Sequence, residues 1–252
     1  MFVIGVIEAR MGSSRLPGKT LMPIDGETSL LECVVRRFRL MRNVNEVCVA
    51  TTVEGADDPI AAWCAANGVP CHRGSELDVL DRVTGAACKF GADYLVQMGA
   101  DSAYLDFQLL DELAAIACDG GYDYVCNDLQ LTWPLGIYGH VVRVEKLVQL
   151  NARPDLTEEE REDVVRFIWE HPELYKTQAI TAPPEFNRPD LRFTIDYPED
   201  LQLAREIYQL LGRWDFTTSD LIGLSKKSPE LFVKTQGLLQ RSAPFLKQTS
   251  HE

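Results

Sequence analysis

Short apolar runs alternate with helix-like segments along the first half of the chain. Strands are predicted at residues 2–7, 46–51, 69–72 and 93–98. The helices predicted between and after them cover residues 29–40, 57–67, 77–90 and 106–118. Strands that alternate with helices usually join one parallel sheet, because each crossover helix returns the chain to the same edge. The pattern therefore predicts an α/β fold with a mostly parallel central sheet and helices on both of its faces.

The pattern changes after Gly120 and Gly121. The second half predicts strands at residues 122–126, 137–142, 174–180 and 190–195, and helices at 158–171 and from Pro198 onward. The sequence has no internal repeat and no low-complexity linker, which favours one domain over residues 1–252 with a more variable second half. The polar end of the chain, beyond about Lys227, is predicted to be frayed.

The apolar run at residues 2–7 ends in a loop rich in small and cationic residues. Arg10, Arg15 and Lys19 carry its positive charge, and two glycines, Gly12 and Gly18, let the backbone approach a ligand closely. Three cations beside serine hydroxyls suit a polyphosphate, and a solvated basic turn is the alternative. The loop is not a Walker A motif, because five residues rather than four separate its glycines. A GxGxxG dinucleotide fingerprint is also absent from the sequence.

The loop sequence EARMGSSRLPGKTLMPIDG, at residues 8–26, resembles the signature loop of the cytidylyltransferases that make CMP-activated acidic sugars. The CMP-Kdo and CMP-sialate synthetases are examples, and the resemblance is strongest to the spore-coat-polysaccharide-type branch of this superfamily. Further matching segments follow in the family's order at residues 47–60, 72–83, 134–136, 161–163 and 193–207, and at Asp101. The resemblance implies a Rossmann-like nucleotidyltransferase fold of the GT-A type.

The resemblance also assigns residues to the nucleotide. It implies that Arg10 and Lys19 hold the triphosphate, helped by Ser13 and Arg15. The catalytic residues that it implies are Arg10, Lys19 and Asp101. The nucleotide-binding residues that it implies are Ala9, Arg10, Gly12, Ser13, Arg15, Lys19 and Arg73. Long cationic side chains can reach separate phosphate oxygens, so the assignment agrees with the chemistry of the loop.

Two aspartates at predicted strand ends are the expected metal ligands. The family carries metal-binding aspartates at the positions of Asp101 and Asp196, and carboxylate oxygens suit Mg²⁺, which also binds phosphates. The alternatives are a strand-end turn residue for Asp101 and a helix N-cap for Asp196. Asp200 is more simply an acidic residue in the first turn of the helix that Pro198 opens.

The chain departs from the family's pattern mainly where the acceptor would bind. Gln97 stands where relatives usually have Arg, and Ala103 stands where they have Pro. The strand-like residues 137–141 include no acidic residue, and Asp163 replaces the His of an RExH motif. The predicted acceptor-binding residues are His140, Arg161 and Glu162. The alternative for His140 is a histidine whose hydrogen bonds are satisfied within a strand, and the alternative for Arg161 and Glu162 is an exposed charged turn of a helix.

The formal net charge of −13 argues against non-specific binding to nucleic acid. The seven cysteines form no CxxC pair and are expected to be buried thiols in a reducing compartment, not a zinc or disulfide framework. No apolar segment reaches the roughly 20 residues of a membrane helix. We expect no signal peptide and no membrane partner, and predict a cytoplasmic protein.

The leading functional hypothesis is a Mg²⁺-dependent enzyme that transfers a cytidylyl group from CTP to an acidic sugar or a similar small acceptor. It would release pyrophosphate and serve surface polysaccharide synthesis. One alternative keeps the reaction with another base or acceptor, and the other is a nucleotide-binding homologue that has lost turnover. The resemblance implies a homodimer. It divides the domain into a nucleotide-binding half at 1–120, an acceptor-binding and dimerisation half at 121–226 and a C-terminal tail at 227–252.

Overall fold

The computed structural model describes residues 1–235 and 237–238 of the chain. Its strands are β1 (Val3–Glu8), β2 (Pro23–Asp25), β3 (Thr28–Ser29), β4 (Glu46–Thr52), β5 (Cys71–Gly74), β6 (Tyr94–Gly99), β7 (Tyr124–Cys126), β8 (His140–Arg143) and β9 (Thr177–Ala179). Its α-helices are α1 (Leu30–Phe38), α2 (Asp58–Ala66), α3 (Val79–Lys89), α4 (Phe107–Gly120), α5 (Val144–Asn151), α6 (Glu158–Glu162), α7 (Arg166–Glu170), α8 (Pro198–Leu211) and α9 (Thr218–Lys227).

One central sheet has the strand order β5-β4-β1-β6-β8-β7-β9. Strands β5, β4, β1 and β6 pair in parallel, as do β7 and β9, whereas β8 runs antiparallel to both of its neighbours. The mostly parallel sheet predicted from the sequence is confirmed. Because β1 lies in the middle of the parallel strands, the loop that follows it opens at the carboxyl edge of the sheet, where α/β folds place their ligands.

Helices cover both faces of the sheet, as predicted. Alternate residues of the central strand enter different cores: Ile7 packs in one and Val6 in the other. Helices α1, α2, α4, α8 and α9 contribute to the first core, and α3, α5 and α7 to the second. Burial on both sides explains why the β1 sequence is an unbroken apolar run.

Several elements differ from the sequence-based prediction. Residues 190–195 were predicted to be a strand, but they form only an isolated bridge between Leu135 and Arg192. The helix predicted at 158–171 is two short helices, because Asp163 has extended backbone and the next two residues, Val164 and Val165, turn into the core. Helices α5 and α9 and the small β2–β3 hairpin were not predicted.

Local capping signals were predicted correctly. The Ser29 hydroxyl accepts a hydrogen bond from the Glu32 amide, 3.2 Å long, at the start of α1. Thr157 and Glu160 form a reciprocal capping box at the start of α6. Such bonds satisfy amide groups that have no partner within the helix, and they explain why these helices begin where they do.

All seven cysteines are free thiols, four of them buried, whereas Cys88 is exposed. No helix within the described ranges combines the length and apolar character that a membrane span needs. The predicted fraying of the C-terminal tail concerns mainly residues 239–252, which lie outside the described residues.

Candidate active site

The loop after β1 is folded back on itself by main-chain hydrogen bonds. The Gly18 amide donates to the Met11 carbonyl over 2.9 Å, and the Thr20 hydroxyl donates to the Arg10 carbonyl over 2.8 Å. Gly18 has φ = 74°, in the left-handed region that favours glycine. The loop that carries the predicted phosphate ligands is therefore a closed turn held against the end of β1.

Asp57 anchors this loop from the side and was not recognised as a loop anchor in the sequence. Its carboxylate accepts a 2.6 Å hydrogen bond from the Met11 amide and another from the Thr52 hydroxyl. Asp57 is buried, and its side chain makes no capping bond to the helix that follows. The sequence offered only a pair of aspartates before a helix, which is the ordinary pattern of a helix start.

Lys19 brings the two predicted metal ligands together. Its ammonium group donates a hydrogen bond to the Asp101 carboxylate and a 2.7 Å bond to the Ile195 carbonyl. The same nitrogen lies 3.6 Å from Oδ1 of Asp196. Asp101 and Asp196 come from segments almost a hundred residues apart, and one cation contacts both carboxylates.

Arg15 contacts the second of these aspartates from the same loop. Its Nη2 donates a 2.8 Å hydrogen bond to Oδ1 of Asp196, and its guanidinium lies over the Tyr197 ring at 5.0 Å. Ser13 lies at the start of this turn, where its hydroxyl accepts a bond from the Leu16 amide. Two of the three loop cations, Arg15 and Lys19, thus face the predicted metal ligands.

The segment that carries Asp196 is fixed by a buried ion pair. Asp200 accepts hydrogen bonds of 3.0 and 3.1 Å from the Arg192 guanidinium. It also accepts the main-chain amides of Asp196 and Tyr197, over 2.9 and 3.0 Å. Asp200 therefore stands in the first turn of α8, as the simpler interpretation predicted, and it holds the turn that presents Asp196.

Gly136 allows the backbone that leads to Asp196 to pack closely against residues 134–136. A Cβ atom at this position would lie 2.4 Å from the Phe193 carbonyl oxygen, and Gly136 has φ = 95°. Its neighbour Leu135 exchanges main-chain hydrogen bonds with Leu191 and Phe193. The Pro-Leu-Gly motif at residues 134–136 therefore supports the backbone that leads to Asp196.

The remaining predicted nucleotide ligands differ in their exposure. Arg10 is 43% exposed in its side chain, and its Nη2 lies 3.8 Å from an exposed Glu162 carboxylate. Arg73 donates to the Thr52 and Glu54 carbonyls. Ala9 is buried at the end of β1, whereas Gly12 is exposed. Arg10 is the loop cation with the most freedom to meet a ligand.

The predicted acceptor residues fall into two different environments. His140 is buried in β8, where Nδ1 lies 2.7 Å from the Tyr124 hydroxyl and Nε2 lies 3.4 Å from Asp128. The Arg161 guanidinium is occupied elsewhere, because it bonds to Asp78, to Asn151 and to the Arg153 carbonyl. The structure brings Glu162 to Arg10 and keeps Arg161 in a contact between helices.

A second polar group lies beside Asp101 and was not predicted as a site. Gln97 donates a hydrogen bond to the Glu8 carboxylate, and the Glu8 carbonyl accepts a 2.8 Å bond from the Ala100 amide. Burial raises the pKa of the Glu8 carboxyl to about 7, although Gln97 and Arg82 act in the opposite direction. The only sequence signal was an acidic residue at the end of an otherwise apolar strand.

The fold and this arrangement of cations and aspartates define the class of the protein as a nucleotidyltransferase. The chain belongs to the cytidylyltransferase family, because the sequence model described as "Cytidylyltransferase" matches residues 4–219. It is 35% identical over 233 residues to the spore coat polysaccharide biosynthesis protein SpsF of Bacillus subtilis (strain 168). That match covers 90% of this chain and 95% of SpsF.

Solved structures agree with the family assignment. A cytidylyltransferase from Leptospira borgpetersenii serovar Hardjo-bovis superposes with a TM-score of 0.86 at 29% identity, over 96% of this chain and 100% of that one. CMP:2-keto-3-deoxy-manno-octonic acid synthetase complexed with CTP superposes with a TM-score of 0.61 at 19% identity, over 84% of this chain and 100% of that one. The second likeness shows the shared fold alone.

Proposed function

We propose that this enzyme transfers a cytidylyl group from CTP to a small acceptor, with Mg²⁺ and with release of pyrophosphate, for surface polysaccharide synthesis. The observation that carries the proposal is the contact of one ammonium group, that of Lys19, with both Asp101 and Asp196. The family membership supports CTP as the nucleotide, and the likeness to SpsF supports polysaccharide synthesis. The homodimer and the cytoplasmic location stay predictions.

The cations of the loop would bind the triphosphate. Arg15 and Lys19 are now paired with carboxylates, and in the complex they would exchange those partners for phosphate oxygens. Arg10 is exposed and would close onto the outer phosphates. Gly12 and Ser13 would present backbone and hydroxyl groups, and Arg73 would remain at the edge of the site.

The residues present fit a magnesium ion. Asp101 and Asp196 both offer carboxylate oxygens to one cation, the Lys19 ammonium group. Carboxylate oxygens are ligands that Mg²⁺ prefers. A bound Mg²⁺ supplies positive charge to the reacting phosphate and to the pyrophosphate that leaves. Lys19 would remain beside it, because its bond to the Ile195 carbonyl does not depend on the carboxylates.

The test is pyrophosphate release with each of the four nucleoside triphosphates, Mg²⁺ and a panel of small acceptors. We expect release with CTP, and its loss in Asp101→Asn, while the exposed variant Asp119→Asn behaves as wild type. Calorimetry of CTP binding accompanies each assay. Tight CTP binding without release for any acceptor would favour a homologue that has lost turnover, and preference for another nucleotide would change the donor.

A further inference from the structure

A group of polar side chains surrounds Glu8, next to Asp101. We define it as the Glu8 cluster, which consists of Glu8, Gln97, Asp128, Tyr138, His140 and Asp163. Gln97 and His140 face each other across β6 and β8, and Gln97 bonds to Glu8. The Ser102 hydroxyl, one residue after Asp101, lies 3.2 Å from the Tyr138 hydroxyl. The cluster therefore adjoins the place where the transfer is proposed to occur.

We infer that the Glu8 cluster binds the acceptor and that it selects an uncharged, hydroxyl-bearing molecule over one that carries a carboxylate. The inference rests on the proposed function and replaces the acidic acceptor expected from the sequence. Three observations support it. The cluster is rich in carboxyl groups, two of its buried hydrogen-bonding groups lack partners in the described part of the chain, and positions 97 and 163 carry no cation.

The titratable groups of the cluster are mostly carboxyls. They belong to Glu8, Asp128 and Asp163, and burial raises the pKa of the Glu8 and Asp128 carboxyls, with a further contribution from the charge of Asp163. The groups that lower these pKa values include Gln97 and Arg82 for Glu8, and His140 for Asp128. A carboxylate that entered here would lose its hydration and add a negative charge beside these acidic groups, whereas a hydroxyl would bring no charge.

The unpartnered groups point to hydrogen-bond donors on the ligand. Gln97 Oε1 and Asp128 Oδ1 are buried acceptors without a hydrogen-bond partner within the part of the chain that the structure describes. The residue Arg82 is 2% exposed, and its Nε is a buried donor that also lacks a hydrogen-bond partner among the described residues. Its charge interacts with Glu8. Hydroxyl groups can both donate and accept, but an ionised carboxylate brings no donor to the two oxygens.

Positions 97 and 163 carry less positive charge than the family resemblance leads one to expect. Gln97 stands where the resemblance leads to an arginine, and Asp163 where it leads to a histidine. Both side chains act on Glu8, the first by a hydrogen bond and the second by its charge. An arginine at position 97 could bind a carboxylate with two parallel hydrogen bonds, but the amide of Gln97 is suited to a hydroxyl.

Matched pairs of probes test the inference. D-glucose is compared with D-glucuronate, and D-galactose with D-galacturonate, because each pair differs only in the carboxylate. Binding to the CTP-loaded protein is measured by saturation-transfer NMR, and turnover by pyrophosphate release. We expect the neutral member of each pair to be favoured by at least about tenfold. Glu8→Gln and Asp128→Asn should narrow this ratio, and the exposed control Glu185→Gln should not.

Three results would overturn the inference: preference for the uronates, an unchanged ratio in both cluster variants, or preference for D-glucosamine over D-glucose, which would indicate an ammonium group. Retained thermal unfolding midpoints show that the variants fold. Because the binding ratio is measured without turnover, it tests the cluster even where no probe releases pyrophosphate. Absence of pyrophosphate release with every acceptor counts against the proposed function alone.

Discussion

Arg15 donates a 2.8 Å hydrogen bond to Asp196 across 181 residues of sequence. The contact joins the loop after β1 to the segment before α8, and it pairs a predicted phosphate ligand with a predicted metal ligand. Charge-assisted bonds of this kind are strong, but they are exchanged readily for a phosphate that offers more oxygens. The site therefore holds opposite charges together, and we predict that bound nucleotide and metal separate them.

Lys19→Met should weaken CTP binding by about 1.5–3 kcal/mol, the usual range for a hydrogen bond to a charged group. The ammonium group contacts both Asp101 and Asp196, and it also donates a hydrogen bond to the Ile195 carbonyl. Calorimetry with CTP and Mg²⁺ measures the loss. Lys226→Met, on an exposed part of α9, is the control. Equal affinity in both variants would remove Lys19 from the phosphate site.

Asp200→Asn should lower the free energy of unfolding by about 3–5 kcal/mol, because it removes the charge that makes two hydrogen bonds with the buried Arg192 guanidinium, whose contact with Asp196 is longer, at 3.3 Å. The variant also weakens the bonds to the amides that begin α8. Urea unfolding gives the value. Its neighbour Glu199→Gln is exposed and should change stability by less than about 0.5 kcal/mol. Similar losses in the two variants would contradict a special role for the buried pair.

The parallel sheet and its covering helices could be predicted because apolar runs and capping residues are local signals. The loop could be assigned because its glycines and cations are contiguous. The anchor Asp57 and the Glu8 cluster could not, since both depend on contacts between distant segments. Residues 190–195 look like a strand, yet they meet the sheet only through the Leu135–Arg192 bridge.

The role of Asp196 also depends on contacts between distant segments, which the sequence does not reveal. The family resemblance suggested a metal ligand and the position before Pro198 suggested a helix cap, and the sequence could not say which. In the structure the N-cap residue of α8 is Tyr197, and the Asp196 carboxylate is held by Arg15 and Arg192. Arg192 lies only 4 residues away, but Arg15 and Lys19 belong to the loop after β1, so the local sequence could not reveal these contacts.

Gly136→Ala should destabilise the protein by about 2–4 kcal/mol and reduce turnover. The added methyl group would meet the Phe193 carbonyl at 2.4 Å and push away the backbone that leads to Asp196. The positive φ adds a smaller penalty of about 1–2 kcal/mol. Gly26→Ala separates the two effects, because Gly26 also has positive φ, but no atom of the described residues beyond its chain neighbours lies within 4 Å of the added methyl group.

Urea unfolding and pyrophosphate release are measured on both glycine variants. Gly26→Ala should lose only the conformational penalty and keep its turnover. If Gly136→Ala were no less stable than Gly26→Ala, the close approach to Phe193 would not govern the position of the segment. A stable Gly136→Ala with low turnover would assign the effect to the site alone.

The buried carboxyl group of Glu8 should make stability fall as the pH rises. Burial raises its pKa from 4.5 to about 7, so between these values the folded protein binds more protons than the unfolded chain. The contribution of Glu8 to the free energy of unfolding therefore decreases from about pH 4.5 to about pH 7, and the loss persists above that range. At 1.36 kcal/mol per pKa unit, the full change is about 3 kcal/mol.

Glu8→Gln removes the titrating group and keeps an amide of similar shape. Its stability relative to wild type should rise by about 3 kcal/mol between pH 4.5 and pH 8, because only the wild-type protein must ionise a buried group there. Urea unfolding across this pH range gives the difference, and Glu185→Gln, which is exposed, should follow the wild-type curve. Parallel curves for Glu8→Gln and wild type would mean that Glu8 ionises in the folded protein as it does in the unfolded chain, and that burial does not hold its proton.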